Sequence, residues 1–158
     1  AGGLHIVTHA FGKITLFFCA GAIYTAVHRK YVSQLNGLGR AMPLTFAAFT
    51  IAALSLIGLP PMAGAWSKWY LMSGALDVQT QMVLVVLALS SLLNIVYLLD
   101  IPARAFFLPG DDNTPRGFAE APAACVIPLM ITASACVVLF FYARPIIAFI
   151  DTAFGSGS

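Results

Sequence analysis

The sequence predicts an all-α integral membrane protein of about four transmembrane helices, one of them discontinuous. Of its 158 residues, 60% are hydrophobic and only 9% charged, against about 45–50% and roughly 25% in an ordinary soluble domain. Apolar runs recur at the length of about 20 residues that a membrane helix needs. One of these runs is interrupted by "GLPPMAG", Gly58 to Gly64, and then resumes. Its two prolines and two glycines cannot continue a regular helix.

The first span covers roughly Gly3 to Val27 and ends at "HRK". The second runs from about Pro43 to Leu76 and is broken at Gly58, Pro60, Pro61 and Gly64. The third covers roughly Gln81 to Phe107, with a bend expected near "DIPAR". The fourth runs from about Ala123 to Tyr142, with Pro145 marking its end and a short amphipathic tail beyond. Residues 1–150 therefore read as one transmembrane domain and residues 151–158 as a tail. Ala1 is preceded by no Met, and no basic n-region, apolar core and cleavage site follow it, so it reads as a position inside a longer chain.

Charge placement orients these spans. If the broken segment crosses once, Arg29, Lys30, Arg40, Arg104 and Arg116 fall on one side and Arg144 on the other, a positive-inside pattern. A re-entrant second half would move Arg104 and Arg116 across and weaken that asymmetry, so a single discontinuous crossing is expected. The net charge of +2 is too small and too dispersed for a nucleic-acid surface. The linker "LPGDDNTPRGFAEAP" reads as a solvated cytoplasmic loop, and Asp111 and Asp112 lack the third ligand that a metal site requires. Cys19, Cys125 and Cys136 lie in apolar runs as small buried thiols, outside any metal-binding spacing.

Function points to charges inside the spans. His5, His9 and Lys13 recur every four residues, so on a helix they share one face and climb about 6 Å per step. That spacing is too long for direct hydrogen bonds and suited to bridging waters. Lys68 follows the helix break, where freed backbone groups line cavities and transporters place ion sites. Neither lysine has a carboxylate at its depth in the sequence. A charged lysine at mid-bilayer costs about 2.5–3.5 kcal/mol on insertion scales, so such residues face protein or water. Burial disfavours an ammonium, and the two lysines are expected to exchange protons near working pH. Ser67 and Asn94 are candidates for lining the same path; Asn94 also suits a hydrogen bond between helices.

Blander readings remain for the same residues. The histidines can be satisfied by neighbouring helices, or form an HxxxH metal pair that lacks a third ligand. Lys68 can snorkel to an interface flanked by Trp66 and Trp69. Haem ligation by His5, His9 or His28 is disfavoured because all three lie on one helix. A scaffold bundle without a transport path leaves the lysines unexplained.

"HIVTHAFGKITLFFCAGAI", "LNGLGRAMP" and "GLPPMAGAWSKWYL", in that order and spacing, resemble the carboxy-terminal half of the proton-conducting antiporter-like membrane subunits shared by respiratory complex I and Mrp-type Na+/H+ antiporters. The resemblance covers roughly residues 1–110. It implies that His5, His9 and Lys13 match the family's hydrophilic axis and that Lys68 matches its distal site. "SKWYLMSGAL" and "SSLLNIVYLL…RAFF" look most like the D-type member of the Mrp antiporter subunits. Family members are roughly three times longer and carry an inverted repeat, so the chain reads as a fragment that does not translocate ions alone.

The expected function is proton translocation coupled to Na+ or another monovalent cation, with a proton-pumping subunit of complex I as the alternative. No catalytic residue, cofactor or metal is expected. The expected partners are other membrane subunits of an antiporter or complex I-like assembly, the lipid bilayer, protons and monovalent cations, with no nucleic acid. The expected location is the bacterial inner membrane.

Overall fold

The computed structural model describes residues 2–28, 31–60, 62–77, 81–110, 112 and 114–155. Arg29, Lys30, Pro61 and Asp111 lie outside the described residues. Regular structure among the described residues is entirely helical: α1 (Gly2–Val27), α2 (Pro43–Ile57), α3 (Ala63–Asp77), α4 (Gln81–Phe107), α5 (Ala123–Phe141) and α6 (Ala143–Gly155). Two short 3-10 turns, Val32–Leu35 and Leu38–Arg40, join α1 to α2. Among the described residues three helices are long and apolar enough to cross a membrane: Gly3–Val27 of α1, α4 and α5.

The discontinuous span consists of α2 and α3. Each has 15 residues, a rise of about 22 Å against a hydrocarbon core of about 30 Å. Neither half crosses alone. Their register against α1 shows how they combine. The Cys19 thiol donates to the Thr45 carbonyl at 3.4 Å, a Cβ at Gly12 would sit 3.0 Å from Leu56 Cγ, and His5 meets Ser67. As α1 is followed backwards from 19 to 5, its partners advance steadily from 45 through 56 to 67. The pair therefore continues in one direction and makes a single crossing antiparallel to α1.

The core lies between α1, α2 and α5, where Cys19, Leu38, Met42, Phe46, Leu129 and Cys136 are fully buried. Between membrane-spanning helices such side chains are held by close van der Waals packing rather than by removal from water. Within this core the Thr15 Oγ1 donates to the Phe11 carbonyl at 2.8 Å. By contrast α4 leaves Val85, Leu92, Leu93 and Val96 exposed, an apolar face suited to lipid or a neighbouring helix. It continues through Pro102 to Phe107, and an Asp100–Arg104 ion pair of 2.7 Å spans that proline.

One end of the bundle is closed by two loops. Gly37 N donates to the Arg104 carbonyl at 3.2 Å and Ala119 N to the Ala41 carbonyl at 2.8 Å. This end carries Arg40, Arg104 and Arg116, while Arg144 begins α6 at the opposite end, where a Cβ at Gly3 would touch Ile150. The span before α6 stops earlier than Pro145, because Tyr142 caps α5 through its N–H to the Val138 carbonyl, and Pro145 sits in the tolerant first turn of α6.

The linker is more than a solvated loop. Glu120 Oε1 accepts from Leu44 N at 2.7 Å and Thr45 N at 3.4 Å, and Oε2 accepts from Thr45 Oγ1 at 2.8 Å. Helix α2 begins with Met42 and Pro43, and the Met42 side chain supplies no cap. A carboxylate distant in sequence therefore satisfies its first free N–H groups, where negative charge is also favoured by the helix dipole.

Candidate functional site

The break is built by glycines. Gly58 adopts φ +91, a conformation open to glycine, and its N–H returns to the Leu54 carbonyl at 3.0 Å to close α2. Gly64 lets α3 approach the end of α2 so closely that a Cβ there would collide with the Ser55 carbonyl oxygen. Pro60 is exposed in the intervening turn, where Met62 N donates to the Leu59 carbonyl at 3.1 Å.

Ending α2 at Ile57 leaves that residue's carbonyl without an intrahelical partner, at the negative end of the helix dipole. Lys68 takes it. Its ammonium donates to the Ile57 carbonyl at 2.7 Å and to Ser91 Oγ on α4 at 2.7 Å. Ser91 in turn donates to the Leu87 carbonyl at 2.9 Å. Lys68 is half-buried and directed into the bundle, whereas Trp69 is 64% exposed, and Trp66 packs on Tyr70 and Phe140. Ser91 is the functional candidate that the sequence reading missed; its only signal was a Ser-Ser pair within an apolar run.

The histidine stripe joins this node from α1. His5 Nδ1 lies 3.2 Å from the Oγ of Ser67, a buried hydroxyl that donates to the Gly64 carbonyl at 3.0 Å. With that proton engaged, Ser67 accepts from the Nδ1–H tautomer of His5. The His5 and His9 rings are 5.2 Å apart between centroids. His9 and Lys13 then face an open cavity of about 590 Å³, whose polar wall is completed by Ser90, Asn94 and Tyr97 of α4. This is ample room for several waters, each occupying about 30 Å³ in the liquid. Asn94 pairs with Tyr97 on its own helix, the Tyr97 hydroxyl donating to Asn94 Oδ1, and it lines the cavity.

The structure thus brings His5, Ser67, Lys68 and Ser91 to the break, and His9, Lys13 and Asn94 to the adjoining cavity. Among the described residues the ion pair found is Asp100–Arg104, so neither lysine has a carboxylate partner there. No group of three potential metal ligands occurs among the described residues. His28 follows the far end of α1 beside Tyr24, about 34 Å along the helix from His5.

Residues 1–94 match the family model described as NADH:quinone oxidoreductase/Mrp antiporter, transmembrane. The chain belongs to this antiporter-like family. It is 36% identical over 156 residues to NADH-quinone oxidoreductase subunit N of Desulforudis audaxviator, an alignment covering 92% of this chain and 31% of that protein. It is 44% identical over 68 residues to NADH-quinone oxidoreductase subunit L of Rickettsia bellii, covering 43% of this chain and 11% of that one. In the solved structure of respiratory complex I from Thermus thermophilus with bound aureothin, one chain superposes with a TM-score of 0.70 at 26% identity, covering 89% of this chain and 33% of that chain. The chain spans about a third of the length of the subunit N relative. The family match includes every residue of the break and the cavity wall up to Asn94.

Proposed function

We propose that the parent subunit translocates protons as part of a complex I-type membrane assembly, with His5, His9, Lys13 and Lys68 as its relay. One observation carries this reading: an ammonium held between the end of a broken helix and a serine, with no carboxylate partner among the described residues.

The chemistry follows from donor and acceptor capacity. A charged Lys68 donates to both the Ile57 carbonyl and Ser91. A neutral amine keeps an N–H for the Ile57 carbonyl and gains a lone pair, which accepts from the Ser91 hydroxyl once that rotates away from Leu87. The node therefore accommodates Lys68 with or without its extra proton. Lys13 holds a proton beside the cavity, His9 and His5 carry it along α1, and Lys68 releases it towards one side. Redox catalysis resides in other subunits, and the home is a bacterial inner membrane.

The relatives named NADH-quinone oxidoreductase subunits support the complex I assignment. The family description also includes Mrp antiporters, and the "SKWYLMSGAL" resemblance favours Na+/H+ antiport as the second reading. Inverted vesicles carrying the parent complex separate the two. Proton uptake driven by NADH and insensitive to sodium is expected; sodium-driven proton movement without NADH would transfer the chain to the antiporters.

A further inference from the structure

We infer that the cavity closing the arginine-bearing end of the bundle is a binding site for the phosphate of a phospholipid headgroup. It lies between the loop that precedes α2 and the linker that precedes α5, is about 320 Å³ in volume, and is lined by Arg40 and Arg116. Both guanidinium side chains are exposed, and among the described residues neither has an ion pair, whereas Arg104 at the same end is paired with Asp100. Two guanidinium groups that line one cavity favour an anion between them, and the planar fork of arginine suits phosphate oxygens.

The cavity is formed by backbone that leaves no room for side chains. Gly37, at φ +74, approaches Gly110 so closely that a Cβ would lie 2.6 Å from Gly110 N. The place of a Cβ on Gly110 is taken by Thr114, whose Oγ1 is buried without a hydrogen-bond partner. Thr114 and Asp112 also line the cavity. Among the described residues that line it, one carboxylate stands against two guanidinium groups. It also offers a partner to a headgroup ammonium.

Depth and size favour lipid over free anion. The cavity lies where spans α1 and α4 end and α2 and α5 begin, the level at which basic pockets between transmembrane helices meet lipid headgroups. At about 320 Å³ it accommodates a phosphate together with the glycerol or ethanolamine attached to it.

The test uses the assembled parent complex in phosphatidylcholine vesicles with a headgroup-photoactivatable phosphatidylglycerol, labelling being mapped by peptide mass spectrometry. Labelling of the peptides containing Arg40 and Arg116 is expected, reduced about fivefold in R40Q or R116Q and about thirtyfold in the double variant. R144Q, at the opposite end, should leave it unchanged. Undiminished labelling in both single variants would overturn the site. Complete displacement of the lipid by inorganic phosphate would keep the phosphate chemistry and overturn its lipid source.

Discussion

The Lys68 ammonium lies 2.7 Å from the Ile57 carbonyl oxygen, so the second half of the broken span reaches back to hold the end of the first. The same ammonium is shared with Ser91 on α4, which ties three helices to one charge. Ser91→Ala removes one of its two acceptors and leaves Ile57. A hydrogen bond to a charged group contributes about 1.5–3 kcal/mol, so proton translocation by the assembled complex should fall by roughly tenfold or more. Ser91→Thr should recover much of it. An unchanged rate in Ser91→Ala would mean that the serine is only a packing neighbour.

The glycines of the break should differ in tolerance. Gly58→Ala forces a side chain into positive φ and towards the flexible Lys68 Cδ, at a cost of about 1–3 kcal/mol. Gly64→Ala drives a Cβ into the Ser55 backbone, which cannot move without shifting α2, so its cost should reach or exceed the roughly 1–3 kcal/mol typical of overpacking. Thermal unfolding of the purified parent subunit should rank Gly64→Ala below Gly58→Ala and both below wild type. The reverse ranking would contradict the close approach of the two half-helices.

Glu120 should act as a remote cap. Glu120→Ala leaves Leu44 N, Thr45 N and Thr45 Oγ1 without their acceptor, a loss of about 1–2 kcal/mol on the scale of N-caps. Amide exchange at Leu44 and Thr45 should accelerate by roughly tenfold, with Glu120→Gln intermediate. Protection as high as in wild type would show that solvent or the linker backbone replaces the carboxylate.

The long spans were legible because each is a continuous apolar run of membrane length: the bounds read for the first and third spans agree with α1 and α4 to within about one residue. The break was legible because prolines and glycines are rare signals with strong local consequences. Partners contributed from elsewhere were not. Ser91 lies 23 residues beyond Lys68, and the Ile57 acceptor is a backbone atom common to every residue. Glu120 lies 76 residues from Leu44, within a linker whose composition signals only solvation. Asn94 illustrates the same limit: its polarity marked it, but only tertiary packing turns it towards a cavity rather than across to another helix.

The relay itself is tested most directly by NADH-driven proton uptake in inverted vesicles carrying the parent complex, with Lys68→Ala compared against wild type at equal assembly. Proton uptake should be lost in the variant. Wild-type uptake by Lys68→Ala would contradict a relay through the broken helix.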